Sequence, residues 1–164
     1  MENYIVINGK KAELTKEQLE TLGISPGRNN PFDRAGFGED YFVTDDNGAV
    51  DSRVETFEKS DDWYYNSVNY FNGKKFAQQM SLRWLLNRKL EKYAWDNEAE
   101  DIEWNDKNYH YCIHYLISEQ RFVVYEYGEV KTTGIVYFSD REVAEKAIKD
   151  VIEPFMSEHP EFRW

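Results

Sequence analysis

The chain has 164 residues and carries 31 acidic side chains against 20 Lys and Arg, a net charge of −11. That balance argues against a groove for duplex nucleic acid, which needs clustered cations to neutralise phosphates. Five Trp, twelve Tyr and ten Phe are too many for a disordered chain, so the charge must sit on a folded domain with its own core.

The first stretch, "YIVINGKKAEL", alternates apolar and polar residues around Asn8-Gly9, a strong short-range signal for a hairpin. "TKEQLETLGI" then predicts a helix with Thr15 as N-cap, Gln18 as its capping-box partner, Leu19 and Leu22 on its apolar side, and Gly23 at its end. Residues 1–24 thus read as a hairpin-helix appendage too small to hold a core alone. Residues 25–40 are rich in Pro and Gly and lack periodicity, a linker that Phe32 and Phe37 are expected to pin to the body.

Residues 41–164 read as an α+β domain. "YFVTDDNGAVDSRVETF" is a hairpin turning at Asn47-Gly48, and "WYYNSVNYF" reads as a third strand. Asn72 is the expected cap of a helix over 73–95, with Phe76, Ala77, Met80, Trp84, Leu85, Leu86, Leu90 and Tyr93 as its apolar face. The loop "DNEAEDIEWND" follows, with six acids and no base. "NYHYCIHYLI", "RFVVYEY" and "TGIVYF" predict three more strands. The last helix opens at Ser139, with Glu142 completing its capping box, and presents Val143, Ala144, Ala147, Ile148, Val151 and Ile152 before Pro154 bends or breaks it.

Placing Tyr70 on Tyr137 aligns Phe71 with Phe138, Asn72 with Ser139, Lys74 with Arg141 and Ala77 with Ala144. The expected architecture is therefore two β-β-β-α units, 41–95 and 107–153, packed as one core.

Chemistry has few footholds. His110, Cys112 and His114 share one face of a strand, but i, i+2, i+4 spacing spreads them over ~13 Å, too far for one zinc ion. Two of them with a distant ligand remain open, while a Cys–His nucleophile pair lacks an orienting acid. Neighbouring acids such as Asp45 with Asp46, Asp61 with Asp62, and Glu100 with Asp101 stay solvated without an apolar pocket to raise a pKa. "AGFGED" lacks the third glycine of a dinucleotide fingerprint. The expectation is a non-enzyme with no cofactor and no metal.

Acidity is concentrated instead. From Glu39 to Asp62 nine acids face only Arg53 and Lys59, and the loop 96–106 adds six more. Aromatics set among acids suit an Arg- and Lys-rich protein partner, where rings stack on guanidinium and carboxylates pair with it. The expected contact residues are Asp45, Asp46, Asp61, Asp62, Trp63 and Tyr64, with Glu98, Glu100, Asp101, Glu103, Trp104 and Asp106. The lone Cys112 fits a reducing compartment. "MENYIVINGKK" is not a signal peptide, and no run approaches the ~20 apolar residues of a membrane span, so a cytoplasmic location is expected.

Through "INGKKAELTKEQLETLGI", "NPF" and "GIVYFSDREVAEKAI", the chain resembles small acidic accessory proteins of phages and prophages of Gram-positive bacteria. Those motifs are structural, so no catalytic residue carries over. The group includes inhibitors of host defence, among them anti-CRISPR proteins that occupy the nucleic-acid grooves of Cas nucleases. The resemblance implies such an inhibitor of a Cas9-type effector, acting through the acidic surface with no direct contact to nucleic acid or membrane. The alternative it implies is a virion-associated or accessory assembly protein that self-associates through its sheets and its N-terminal element.

Overall fold

The computed structural model describes residues 4–7, 9–15, 18, 30–97 and 107–164. Among the described residues three antiparallel hairpins combine with helices, an α+β arrangement. Strands β1 (Tyr4–Ile7) and β2 (Lys10–Glu13) pair with Ile7 opposite Lys10, and Gly9 in the turn between them takes φ +76. The Thr15–Gln18 capping box is also present: Thr15 N–H donates to Gln18 Oε1 (2.9 Å) and Gln18 N–H to Thr15 Oγ1 (3.2 Å). Leu19, Leu22 and Gly23 of that predicted helix lie outside the described residues.

Strands β3 (Asp40–Thr44) and β4 (Val50–Val54) form the second hairpin, closed by a turn in which Asp45 Oδ1 accepts from the N–H groups of Asn47 and Ala49. Gly48 is required at its tip, because φ is +90 and a Cβ would meet Leu85 Cδ2 at 3.0 Å. The expected third strand does not follow. Residues Lys59–Asn66 form helix α1 instead, and only Phe71 reaches back to β3, in a single bridge to Phe42. The start signal lies upstream of the aromatic run: Asp61, in the first turn, accepts the N–H groups of Thr56 and Glu58, which commits the chain to a helical turn. That local bonding overrides the strand preference of "WYY".

Helix α2 (Lys74–Asn97) buries Ala77, Leu82, Leu86, Leu90 and Ala94 along one stripe, while Trp84 is partly exposed. Strands β5 (His110–Leu116) and β6 (Arg121–Tyr127) make the third hairpin, and "TGIVYF" contributes one bridge, Phe138 to Tyr111, in place of a strand. Helix α3 (Arg141–Ala147) is capped by Asp140, whose carboxylate accepts from Glu142 and Val143 N–H groups, and not by Ser139. The first helical bond of α2 falls on Gly73 O and not on Asn72, whose amide donates to Asn30 O (2.7 Å) and tethers the loop before β3. Both helices open one residue later than expected and in register with each other: Ala77 N–H bonds Gly73 O, and Ala144 N–H bonds Asp140 O. Pro154 does not end the last helix. Ile148–Ile152 widens into a π-turn just before it, where Glu153 N–H reaches Ile148 O, and α4 (Glu153–Glu158) continues.

The interior is divided between two clusters, not gathered into one. Leu82, Leu86, Leu90 and Ala94 of α2 pack with Phe138, Ala144, Ala147, Ile152, Phe155 and Phe162. A smaller cluster holds Ala35, Tyr41, Val43 and Tyr70 under the β3–β4 hairpin. Helix α2 joins them, because it packs on β3 and β4 as well as on α3.

The smaller cluster is fastened by two buried carboxylates. Glu55 accepts from Arg34 Nε (3.0 Å) and Nη2 (3.1 Å), Tyr70 Oη (2.7 Å) and Phe57 N–H (2.8 Å). Asp61 accepts from Tyr41 Oη (2.8 Å), Thr56 Oγ1 (2.9 Å) and the two N–H groups named above. The Arg34 guanidinium holds Glu55 below the usual carboxylate range, and the Tyr41 hydroxyl does the same for Asp61. Burial, then the carboxylate each one serves, pushes both phenols up, so both remain protonated donors.

Because both acids are depressed in the folded state, their contribution is fully present above the unfolded value of about 4 and is lost as pH falls towards the folded values. The urea midpoint is expected to drop below pH ~4, less steeply in Glu55→Gln than in the unmodified chain. At pH 7, Glu55→Ala is expected to cost about 3 kcal/mol, read from denaturant unfolding, because it strands Arg34 and the Tyr70 hydroxyl.

Candidate functional site

The loop 30–39 is held on three sides. Phe32 packs against Phe71 (centroids 5.5 Å apart) and Phe76 (5.4 Å), Ala35 N–H donates to Tyr70 Oη (3.0 Å), and Arg34 reaches Glu55. Phe32 therefore pins the segment as expected, whereas Phe37 does not, being 72% exposed. Its ring lies 6.0 Å from that of Phe57, itself 55% exposed and held at φ +57. A left-handed conformation is uncommon for a bulky residue. Here the Phe57 N–H is fixed on Glu55 Oε1, and the ring is turned out over the Arg34 guanidinium at 5.0 Å. Tyr65 packs on the same guanidinium at 5.4 Å, and Arg34 Nη1 also pairs with Asp62 at 2.8 Å.

The result is an aromatic cluster of Phe37, Phe57 and Tyr65 seated on one cation and flanked in sequence by the exposed carboxylates of Glu39 and Glu58. Of the nine acids between Glu39 and Asp62, Glu55 and Asp61 are buried, which leaves seven at or near the surface. Strand β4 beside them is exposed from Asp51 to Val54. Phe42 spends its N–H and C=O on Phe71, so by alternation Tyr41 and Val43 bond β4 at Arg53 and Asp51. Ser52 and Val54 then face outward, and among the described residues no strand pairs with that edge.

The expected contact residues that are described do not form one patch. Asp45 and Asp46 sit at the tip of the hairpin, where Asp45 closes the turn and Asp46 lies beside Arg88 on α2. Asp61 and Asp62 sit near its base, about 15 Å away at five residues of strand rise. Asp61 leaves the set altogether, since it is 4% exposed and its carboxylate is fully occupied. Trp63 projects outward at 70% exposure, and Tyr64 is half-buried beneath the Arg53 guanidinium (4.7 Å). Glu98, Glu100, Asp101, Glu103, Trp104 and Asp106 lie outside the described residues. Sequence reading missed Arg34, Phe57 and Tyr65 as surface residues. An isolated Phe inside the polar run "TFEKSDD" was the available signal.

Cys112 and His114 touch: His114 Nε2 lies 3.1 Å from Cys112 Sγ and 3.3 Å from Tyr127 Oη. The contact does not make a nucleophile. Burial pushes the Cys112 thiol up to about 11, and among the described residues no carboxylate bonds His114. No group of three or more His, Cys, Asp or Glu among the described residues is placed to hold a metal ion. No helix among them is long and apolar enough to cross a membrane.

A buried neutral thiol reacts slowly. At pH 8 a disulfide reagent is expected to label Cys112 at least about tenfold faster in denaturant than in the native chain; equal rates would show an accessible thiolate.

Compared with protein-family models, with curated proteins and with solved structures, the chain gives no match.

Proposed function

We propose that this is a non-catalytic binding protein, which presses the acidic, aromatic-bearing face of its β3–β4 hairpin onto a basic surface of another protein. The observation that carries this reading is the exposed Phe37–Phe57 pair, turned outward by a buried ion-pair network and flanked by the exposed carboxylates of Glu39 and Glu58. Keeping large rings in water on a strained backbone costs stability, and such costs are retained where a surface is used. Flat rings stack on guanidinium while the neighbouring carboxylates pair with it, so the complementary surface is rich in Arg and Lys. Surfaces of that kind are the ones that hold nucleic acid. The specific form we propose is a phage-type inhibitor that occupies the nucleic-acid groove of a bacterial defence nuclease such as a Cas9-type effector. The outward backbone of β4 favours a second reading, an accessory protein assembling with its partner by edge pairing.

The two readings separate by salt and by side chain. For the first, Phe37→Ala with Phe57→Ala is expected to weaken binding to the effector by about 10–100-fold. Asp51→Lys with Glu58→Lys is expected to remove most of its salt dependence. Titration calorimetry and competition with the effector's own nucleic acid measure both. Inhibition that survives both double substitutions, or a complex indifferent to salt, sinks the reading.

A further inference from the structure

From Leu82 onwards helix α2 is buried along one stripe, Leu82, Leu86, Leu90 and Ala94, which faces the larger cluster. The opposite side stays in water, yet it carries two tryptophans: Trp84 is 38% exposed and Trp95 is 77% exposed. Trp84, Arg88, Glu91 and Trp95 follow one another at steps of four, three and four residues. At about 100° of turn per residue that spacing keeps all four within about 60° of arc, the seam pattern of paired helices. The two preceding positions of the seam, Ala77 and Ser81, are already buried inside the protein, so its open part runs for about three turns. Charge along the seam is half committed. Arg88 gives Nη2 to Asp46 O (2.6 Å) and holds Nη1 at 4.0 Å from the Asp46 carboxylate, while Lys92 pairs with Asp96. Among the described residues no ion pair holds Glu91.

We infer that this seam is an interface with a second copy of the chain, in which the two α2 helices lie antiparallel across a two-fold axis. Such an axis sets each residue against one at the mirrored position, so a helix fits its own copy only where its pattern matches when read backwards. Helix α2 has that property about a centre between Lys89 and Leu90. There Trp84 falls opposite Trp95 of the second copy and Arg88 opposite Glu91, and each pairing occurs twice. Indole meets indole at both ends, and between them a guanidinium meets a carboxylate that lacks a cation. A parallel pair would set Arg88 against Arg88 and Glu91 against Glu91, so the charges select the antiparallel arrangement. The element also suits a second copy by its sign. Helix α2 carries six Lys or Arg against two acids, in a chain whose net charge is −11, and so meets its own kind with the least repulsion. Four indoles, each worth up to about 150–250 Å², reach only the low end of specific interfaces, which fits a reversible dimer with a Kd of about 10–100 µM. The seam uses neither Phe37 nor Phe57 and stands apart from the acidic face.

Sedimentation equilibrium of the full chain, carried up to about 1 mM, tests this and is expected to show a monomer–dimer equilibrium. Trp95→Ser, at a side chain mostly in water, is expected to leave the urea midpoint unchanged and to raise the dimer Kd at least about tenfold. Arg88→Glu and Glu91→Arg are each expected to stay monomeric alone and to associate when mixed in equal amounts, because each supplies the charge that the other lacks. Both changes in one chain exchange the pair without breaking it, and are expected to return the Kd to within about threefold of the original. A chain still monomeric at about 1 mM has no such interface. A dimer that survives Trp95→Ser lies on another surface. Single variants that stay apart when mixed, or a double exchange that does not recover association, remove the antiparallel register and the inference with it.

Discussion

A charge taken out of water must be met by donors on every side, and the β3–β4 hairpin is built around two that are. Glu55 and Asp61 lie at the junction of the loop before β3, the end of β4 and the start of α1. Between them they draw in Arg34, Tyr41, Thr56, Phe57, Glu58 and Tyr70. Few of these residues have an apolar alternative there, because the cluster beneath the hairpin contains only Ala35, Tyr41, Val43 and Tyr70 with Tyr64 beside it. Hydrophobic burial on that scale is small, so orientation is left to hydrogen bonds, which specify direction as burial does not. The same bonds fix where Phe57 points and where α1 begins. Exposure of the aromatic cluster is thus a consequence of interior chemistry and not of loose packing.

The second hairpin-helix unit relies more on apolar contacts: Tyr111 and Ile113 of β5 and Phe122 and Val124 of β6 pack on the larger cluster. Where Tyr41 and Val43 are buried in β3, His110 and Cys112 are buried in β5, and α3 places Ala144 where α2 has Ala77. Small residues at that point let each helix approach its hairpin. Helix α2 is long enough to serve both: its first turns cover β3 and β4, and its Leu86, Leu90 and Ala94 stripe joins the larger cluster. The two units lean on one helix, which explains how two-stranded hairpins that are marginal in water persist here.

Hairpins were legible because their information is local. Gly9 and Gly48 each take a positive φ, and both turns fall where the sequence signals stand. The capping box at Thr15 and Gln18, and the alignment of Phe71 with Phe138, were legible for the same reason. The third strands were not. "WYYNSVNYF" and "TGIVYF" have strand composition, yet whether a segment pairs is decided by what its backbone meets, and each contributes one bridge. The helix starts were displaced by one residue: Asn72 tethers the loop at Asn30, and the Asp140 carboxylate accepts the N–H groups that Ser139 was expected to cap. The site was half legible. Charge density marked the right hairpin, but composition does not distinguish an acid that pairs inside from one that faces water, so Asp61 counted as surface and Arg34 went unnoticed.

That distinction decides what the acidity can do. With −11 spread evenly, every approach of a basic partner would be attractive and none would be oriented. Here Arg34 draws Glu55 and Asp62 to itself, Arg88 sits beside Asp46, and Asp45 closes its own turn, so much of the hairpin's charge is committed internally. Glu39 and Glu58 accept backbone N–H groups but keep exposed carboxylates, and they lie around rings that cannot turn inward, since the cluster behind them is already filled by Tyr41 and Tyr70, stacked 4.1 Å apart. Long-range attraction then supplies encounter, and the rings supply register, because stacking has a geometry that diffuse charge lacks. A binding face of this kind needs little area to be selective, provided the network behind it does not give way.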